Sequence, residues 1–203
     1  GLIIPIGDWV IRKACAEAGF WPPNVGVAVN LSPVQLRNPH LLKTVVVAIT
    51  ASGILPERVE LEITETALMQ HTATALAALH QLRDIGVSVS MDDFGTGYSS
   101  LSNLRSFPFD RIKIDRCFVA GLPAEADSVA IVRAVVGLAR SLHMVTTAEG
   151  VETAEQMEQV RVLGCSEVQG ILFSRPLPAA DIRRLLHAQA GSLGRQPLQA
   201  KTA

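Results

Sequence analysis

The sequence predicts an α/β chain built from parallel βαβ units, and three observations carry that reading. Short β-branched runs alternate with longer helical runs. Most of the short runs have one apolar and one polar face when read with the two-residue period of a strand. Glycines stand just past the helical runs, at Gly19, Gly53, Gly86 and Gly164, where a helix commonly stops.

In chain order, a helical run over Asp8–Ala18 precedes a strand over Val25–Asn30, in which Asn30 shares a face with Ala28 and Gly26. A helix over Pro39–Ser52 leads to a strand over Arg58–Thr64. There Val59, Leu61 and Ile63 oppose Glu60, Glu62 and Thr64. A helix over residues 72–85 leads to a strand over Gly86–Asp92, in which Val87, Val89 and Met91 oppose Ser88, Ser90 and Asp92. The strand Arg111–Asp115 puts two isoleucines on one face and three charges on the other. A helix over Ala126–His143 is followed by a strand over Met144–Glu149. The next helix, Thr153–Leu163, opens with Thr153 and Gln156 at capping-box spacing. A strand over Glu167–Phe173 and a helix over Asp181–Gln189 complete the pattern. Residues 1–190 read as one domain, and Gly191–Ala203, rich in Gly, Pro and Gln, as a disordered tail.

Hydrophobic residues make up 48% of the 203 and charged residues 18%, which describes a chain with a large core. Net charge is −1 with Lys and Arg spread along the sequence, so no basic face for duplex nucleic acid is expected. Cys15, Cys117 and Cys165 are odd in number and far apart. They read as reduced core thiols and suggest the cytoplasm, or the cytoplasmic part of a larger membrane-anchored signalling protein. No apolar run approaches the ~20 residues of a membrane span.

If right-handed crossovers close such strands into a barrel, the apolar faces meet the outer helices and the polar faces point inward. Asn30, Glu62, Asp92, Asp93, Lys113, Glu149 and Gln169 then gather at the carboxyl ends of the strands, where parallel barrels carry their active sites. Buried carboxylates and a buried Lys must be paired or bind a metal. The set is all oxygen donors apart from Lys113, and none of the five histidines lies on these strands, which favours Mg²⁺ or Mn²⁺ over Zn²⁺. Asp92 and Asp93 together could serve two cations, as a phosphoryl displacement uses. Singly, each residue also fits a plain structural role: Lys113 as counter-ion to Asp115, Asp92–Asp93 as a turn before Gly95. A one-metal, enolase-like site with Lys113 as base is a further alternative.

The blocks around these positions, VNLSPVQL (29–36), ELEITET (60–66), MDDFGTGYSSL (91–101), RIKIDRCFV (111–119), AEGVET (148–153) and GCSEVQGILFSRPLP (164–178), closely resemble the EAL phosphodiesterase family, in family order over nearly the whole chain. The resemblance implies a modified TIM-type (βα)8 barrel that hydrolyses cyclic di-GMP to linear pGpG in bacterial second-messenger signalling. It implies that Asn30, Glu62 and Asp92 hold one metal ion and that Asp92, Asp93 and Glu149 serve a second. Lys113, Glu149 and Glu152 would be catalytic, with Gln169 and Asp115 beside them. Glu65 would fix the Asp93–Leu101 loop, a gate around Gly95, Thr96 and Gly97 and a contact for a homodimer. The alternative within the same resemblance is a non-catalytic cyclic di-GMP receptor. Two departures stand out: Ile171 replaces a frequent Tyr, and the Glu-Ala-Leu tripeptide is absent. That tripeptide is expected upstream of residue 1, on a strand this sequence does not contain. The barrel is accordingly expected to show six of its eight strands, with open edges near Val25–Asn30 and Glu167–Phe173, and this fragment alone is expected to be inactive.

Overall fold

The computed structural model describes residues 1–65, 67, 73–95, 107 and 109–193. Six strands form one sheet in chain order: β1 (Val27–Leu31), β2 (Val59–Thr64), β3 (Ser88–Phe94), β4 (Arg111–Ile114), β5 (Val145–Ala148) and β6 (Glu167–Val168). Every neighbouring pair is parallel. Strict sequential order has no switch point, so the sheet curls as half of a barrel wall rather than winding outward in two directions. Within the described sheet, β1 and β6 are the edges.

Helices cover the outer face: α1 (Ile3–Ala18), α2 (Pro33–Leu36), α3 (Leu41–Ser52), α4 (Ala73–Asp84), α5 (Arg116–Ala120), α6 (Ala126–Ser141), α7 (Ala154–Val162) and α8 (Ala179–Leu193). The core lies between the two layers. Leu61, Ile63, Val89, Met91, Ile112 and Ile114 from the strands are buried there with Leu79, Leu82, Val132, Val136 and Ala139 from the helices. The apolar parity of each strand therefore faces the helices, as the alternation requires.

Several boundaries differ from the sequence reading, each for a local reason. α1 begins at Ile3 rather than Asp8, because Pro5 falls in the first turn, where the missing N–H costs no hydrogen bond. The short α2 was not apparent; Ser32 and Gln35 form a full capping box at its start. The capping box of Thr153 and Gln156 at the start of α7 is formed as expected. β6 stops at Val168 instead of reaching Phe173. The Val151 amide donates to the Gln169 carbonyl and the Leu172 amide to the Val151 carbonyl, so the chain leaves the sheet there. α8 runs to Leu193, into the segment expected as tail; residues 194–203 lie outside the described ones.

α8 returns to the beginning of the chain. The Arg183 guanidinium donates to both Glu17 oxygens at 2.8 Å and lies 4.5 Å from the Phe20 ring centre, and His187 Nε2 meets the Phe20 carbonyl at 3.1 Å. First and last helices are thereby joined. Among the described residues no helix is long and apolar enough to cross a membrane.

Candidate active site at the carboxyl ends of the strands

The parallel register decides which side chains meet. Asn30 is level with Glu62, Glu62 with Ser90, Ser90 with Arg111, and Arg111 with Val145. Residues two apart on one strand share a face, so the inner face carries two storeys of charge. In the lower storey the Arg111 guanidinium donates to Glu60 Oε2 at 3.0 Å and to Thr147 Oγ1 at 2.8 Å, and pairs with the Glu167 carboxylate. The upper storey centres on Lys113. Its Nζ lies 2.8 Å from Glu62 Oε1, 3.2 Å from Asp92 Oδ1 and 2.6 Å from Glu149 Oε1. One cation thus ties β2, β3 and the end of β5 to β4.

Lys113 is 4% exposed, so its charge depends on these partners. Burial alone would lower its pKa. The hydrogen bonds to Glu149 and Glu62, with the charge on both, outweigh burial and raise it above the ordinary lysine value. Burial pushes the Glu62 and Glu149 carboxyls upward, and Lys113 pulls against it without cancelling it.

Adjacent residues of a regular strand point to opposite faces, yet Asp92 and Asp93 both reach the site. The pairing of β3 with β4 shifts register between Met91 and Phe94, and Asp93 adopts φ 55°, the left-handed region that Asp tolerates better than most residues. Such a residue costs about 1 kcal/mol or more, which the surrounding packing must hold. The Asp93 amide donates to Asp92 Oδ1 at 3.1 Å. One carboxylate oxygen each from Asp92, Asp93 and Glu149 lie within 4.8 Å of one another, a spacing at which three acids can share a cation. Burial, then Asp92 and Asp115, raise the Asp93 pKa. Burial works against ionised Asp115 too, but hydrogen bonds with Cys117, Asp93 and the Arg116 backbone hold it below the ordinary aspartate value. The Asp115 carboxylate also caps α5, accepting from the Cys117 amide at 2.8 Å.

The structure therefore brings together Glu62, Asp92, Asp93, Lys113, Asp115 and Glu149. Asn30 is level with Glu62 on edge strand β1 and is exposed. Gln169 and Lys113 line a cavity of about 730 Å³ along the inner face, with Glu62, Glu60 and Arg111. Glu152 lies exposed beyond Val151, its amide donating to Gln156 Oε1 at 2.7 Å. Glu65 is buried, and among the described residues neither of its carboxylate oxygens has a hydrogen-bond partner. Gly95 has φ 96°, while Thr96, Gly97 and most of the expected gate and dimer loop lie outside the described residues. The lower storey was missed as a unit in the sequence. Its signal was there: acids at 60 and 62 and cations at 111 and 113 repeat with the strand period.

A family model described as EAL domain matches residues 1–176. The cyclic di-GMP phosphodiesterase NbdA of Pseudomonas aeruginosa is 42% identical over 194 residues, covering 93% of this chain and 24% of NbdA. The crystal structure of the EAL domain of Mycobacterium smegmatis DcpA superposes with a TM-score of 0.88 at 39% identity, covering 97% of this chain and 88% of that one. A manganese and cyclic di-GMP complex of Klebsiella pneumoniae BlrP1 gives 0.79 at 34% identity, over 85% of this chain and 45% of that one. The chain spans about a quarter of the length of the curated relatives it matches, 22% to 27% for the first four.

Proposed function

This chain belongs to the EAL domain family, and from that membership we propose that it hydrolyses cyclic di-GMP to linear pGpG with Mg²⁺ or Mn²⁺ held at the strand ends. The observation that carries the reading is the Lys113 ammonium within 2.6 to 3.2 Å of three carboxylates, on β2, on β3 and just past β5, beside the Asp92–Asp93–Glu149 cluster. These donors fit a hard divalent cation: all are oxygens, several come from different strands, and their spacing suits a shared ion. Asn30, Glu62 and Asp92 would hold one ion, and Asp92, Asp93 and Glu149 the other. When bound, the pair would lower the pKa of a water and neutralise charge on the phosphoryl oxygens.

The reaction opens one phosphodiester of the ring. A water oxygen adds to phosphorus, the P–O3′ bond breaks, and the 3′ oxygen takes up a proton. Set among Glu62, Asp92 and Glu149, Lys113 would act as a cation rather than as the base, donating to the attacking water or to a phosphoryl oxygen and offsetting developing charge. Glu62 and Glu149 hold its ammonium in place from two sides. Gln169 presents an amide at the cavity mouth for the substrate, Asp115 orients Asp93, and Glu152 is a neighbouring acid. Glu65 would secure the Asp93–Leu101 loop, through which a homodimer forms. Of the three thiols expected in the core only Cys15 is buried; Cys117 is exposed at the start of α5 and Cys165 half-buried, and all three are free, which fits a reducing, cytoplasmic setting.

The test is chromatographic detection of pGpG from cyclic di-GMP with Mg²⁺ or Mn²⁺. It is run on this chain and on the longest natural protein that carries it. Linear product that disappears with EDTA supports the reading. Tight cyclic di-GMP binding without product in either protein would assign a receptor instead.

A further inference from the structure

We propose that Gly150 and Gly170 are positioning residues: together they form a two-glycine buckle that sets the spacing of Lys113, Glu149 and Gln169. This rests on the phosphodiesterase reading only for the meaning of the site; the contacts themselves are steric. After β5 the chain passes through Glu149, Gly150 and Val151, between the end of β4 on one side and the end of β6 on the other. Backbone hydrogen bonds knit the three. The Glu149 amide donates to the Ile114 carbonyl at 3.1 Å, the Gln169 amide to the Ala148 carbonyl at 2.8 Å, and the Val151 amide to the Gln169 carbonyl at 3.0 Å.

Each glycine sits where the strands' ends come closest. A Cβ on Gly150 would lie 2.6 Å from Arg116 Cβ and 3.5 Å from Arg116 Cα, and Gly150 has φ 69°. Arg116 follows Asp115 and Lys113 follows Ile112 on the same short segment, so this contact fixes how near Glu149 stands to β4. A Cβ on Gly170 would lie 2.0 Å from the Val151 carbonyl oxygen and 2.4 Å from its nitrogen. Real Cβ atoms do not approach backbone so closely, and the backbone cannot swing aside as a flexible side chain would. Gly170 fixes how near Gln169 stands to Glu149. A methyl at either place pushes the Glu149 turn away from one neighbour. The 2.6 Å bond from Glu149 to Lys113 and the 4.8 Å grouping with Asp92 and Asp93 then open.

The test is Mn²⁺ binding to the metal-stripped protein, followed by the loss of the free-ion paramagnetic resonance signal, which needs no turnover. Gly170→Ala and Gly150→Ala should each weaken Mn²⁺ binding roughly tenfold or more, the scale for losing support behind a metal ligand. Gly137→Ala on α6, where a Cβ meets nothing within 4 Å, is the control and should leave binding as in the parent. Arg116→Gly removes the side chain that Gly150→Ala strikes but not the strain of φ 69° at residue 150, so the double variant should recover part of the lost affinity. A role confined to stability would lower the unfolding midpoint and leave the Mn²⁺ affinity of the folded protein unchanged. Binding within about twofold of the parent in both single variants would overturn the buckle, as would failure of Arg116→Gly to restore any affinity. If Gly170→Ala does not fold, the Gly150 and Arg116 pair decides. Absence of pGpG from both this chain and the longest natural protein that carries it, with Mn²⁺ still bound, would sink the phosphodiesterase reading and leave the buckle standing.

Discussion

Replacing Lys113 with Met keeps the length of the side chain and removes its charge, and the structure allows the outcome to be worked out. At an effective dielectric constant near 20, unit charges 2.6 to 3.2 Å apart attract by about 5–6 kcal/mol. Three such contacts are offset by the desolvation of Lys113 and by repulsion among Glu62, Asp92 and Glu149. What survives is the cost of stranding buried acids without their cation, about 3–5 kcal/mol. Lys113→Met should therefore lose about that much in urea unfolding with EDTA at neutral pH. Glu62 and Glu149 titrate above their unfolded values, so their ionisation burdens the folded state. That burden is complete above the folded values and gone below the unfolded value near ~4.3, so the variant's deficit should shrink on acidification. In the parent, Lys113 is raised; its stabilisation is complete below the unfolded lysine value near ~10.4 and is lost as pH climbs through the folded one. Saturating Mn²⁺ should also narrow the deficit, since bound cations replace the missing charge. A deficit below ~1 kcal/mol in EDTA, or one indifferent to both acid and Mn²⁺, would refute the account of the upper storey.

Further outcomes are specific. In an otherwise full-length domain, Asp92→Asn should lower kcat for cyclic di-GMP by several orders of magnitude, and near-parent turnover with Mg²⁺ or Mn²⁺ would contradict its place between two ions. Glu65→Ala should weaken Mn²⁺ binding while far-UV circular dichroism keeps the α/β signature; unchanged affinity counts against its loop role. Arg83→Met breaks a two-point pair with Asp110, at 2.8 and 3.2 Å, and both side chains are about a third exposed. Urea unfolding should register about 1 kcal/mol, a modest loss because Asp110 still accepts from the Val89 amide.

Strand faces were legible because alternation is a two-residue rule that tertiary context seldom overturns. Glu62, Asp92 and Lys113 fall inward in the structure as their parity requires. The EAL likeness of the same blocks named the remaining partners. Asp93 shows where parity alone stops: regular alternation would send it outward, and only the register shift and its left-handed backbone return it to the site. β6 ends before the sequence pattern does, because ILF at 171–173 has strand composition. Its departure from the sheet goes with hydrogen bonds of Gln169 and Leu172 to the Val151 backbone, far off in sequence, and no local pattern reports it. The same distance hid the buckle. The lower storey was visible as periodic charge, but its partners sit on β2, β4, β5 and β6, and only the parallel register joins them.

The two storeys also bear on how the chain avoids assembling its sheet one notch out of line. Sliding a strand by one residue turns its acids toward the helices and its valines inward, an error that penalises itself. Sliding by two is more dangerous, because faces are preserved and a cation still meets an acid. The two cations differ, however. Arg111 offers a planar fork that engages Glu60, Thr147 and Glu167 together, whereas Lys113 is a point charge nested among three carboxylates. A two-residue slip in one direction would bring the fork to the nest, and in the other the point to the bracket, with donors idle or acids unmet either way. The difference between arginine and lysine on one short strand thus works as a key cut for a single alignment.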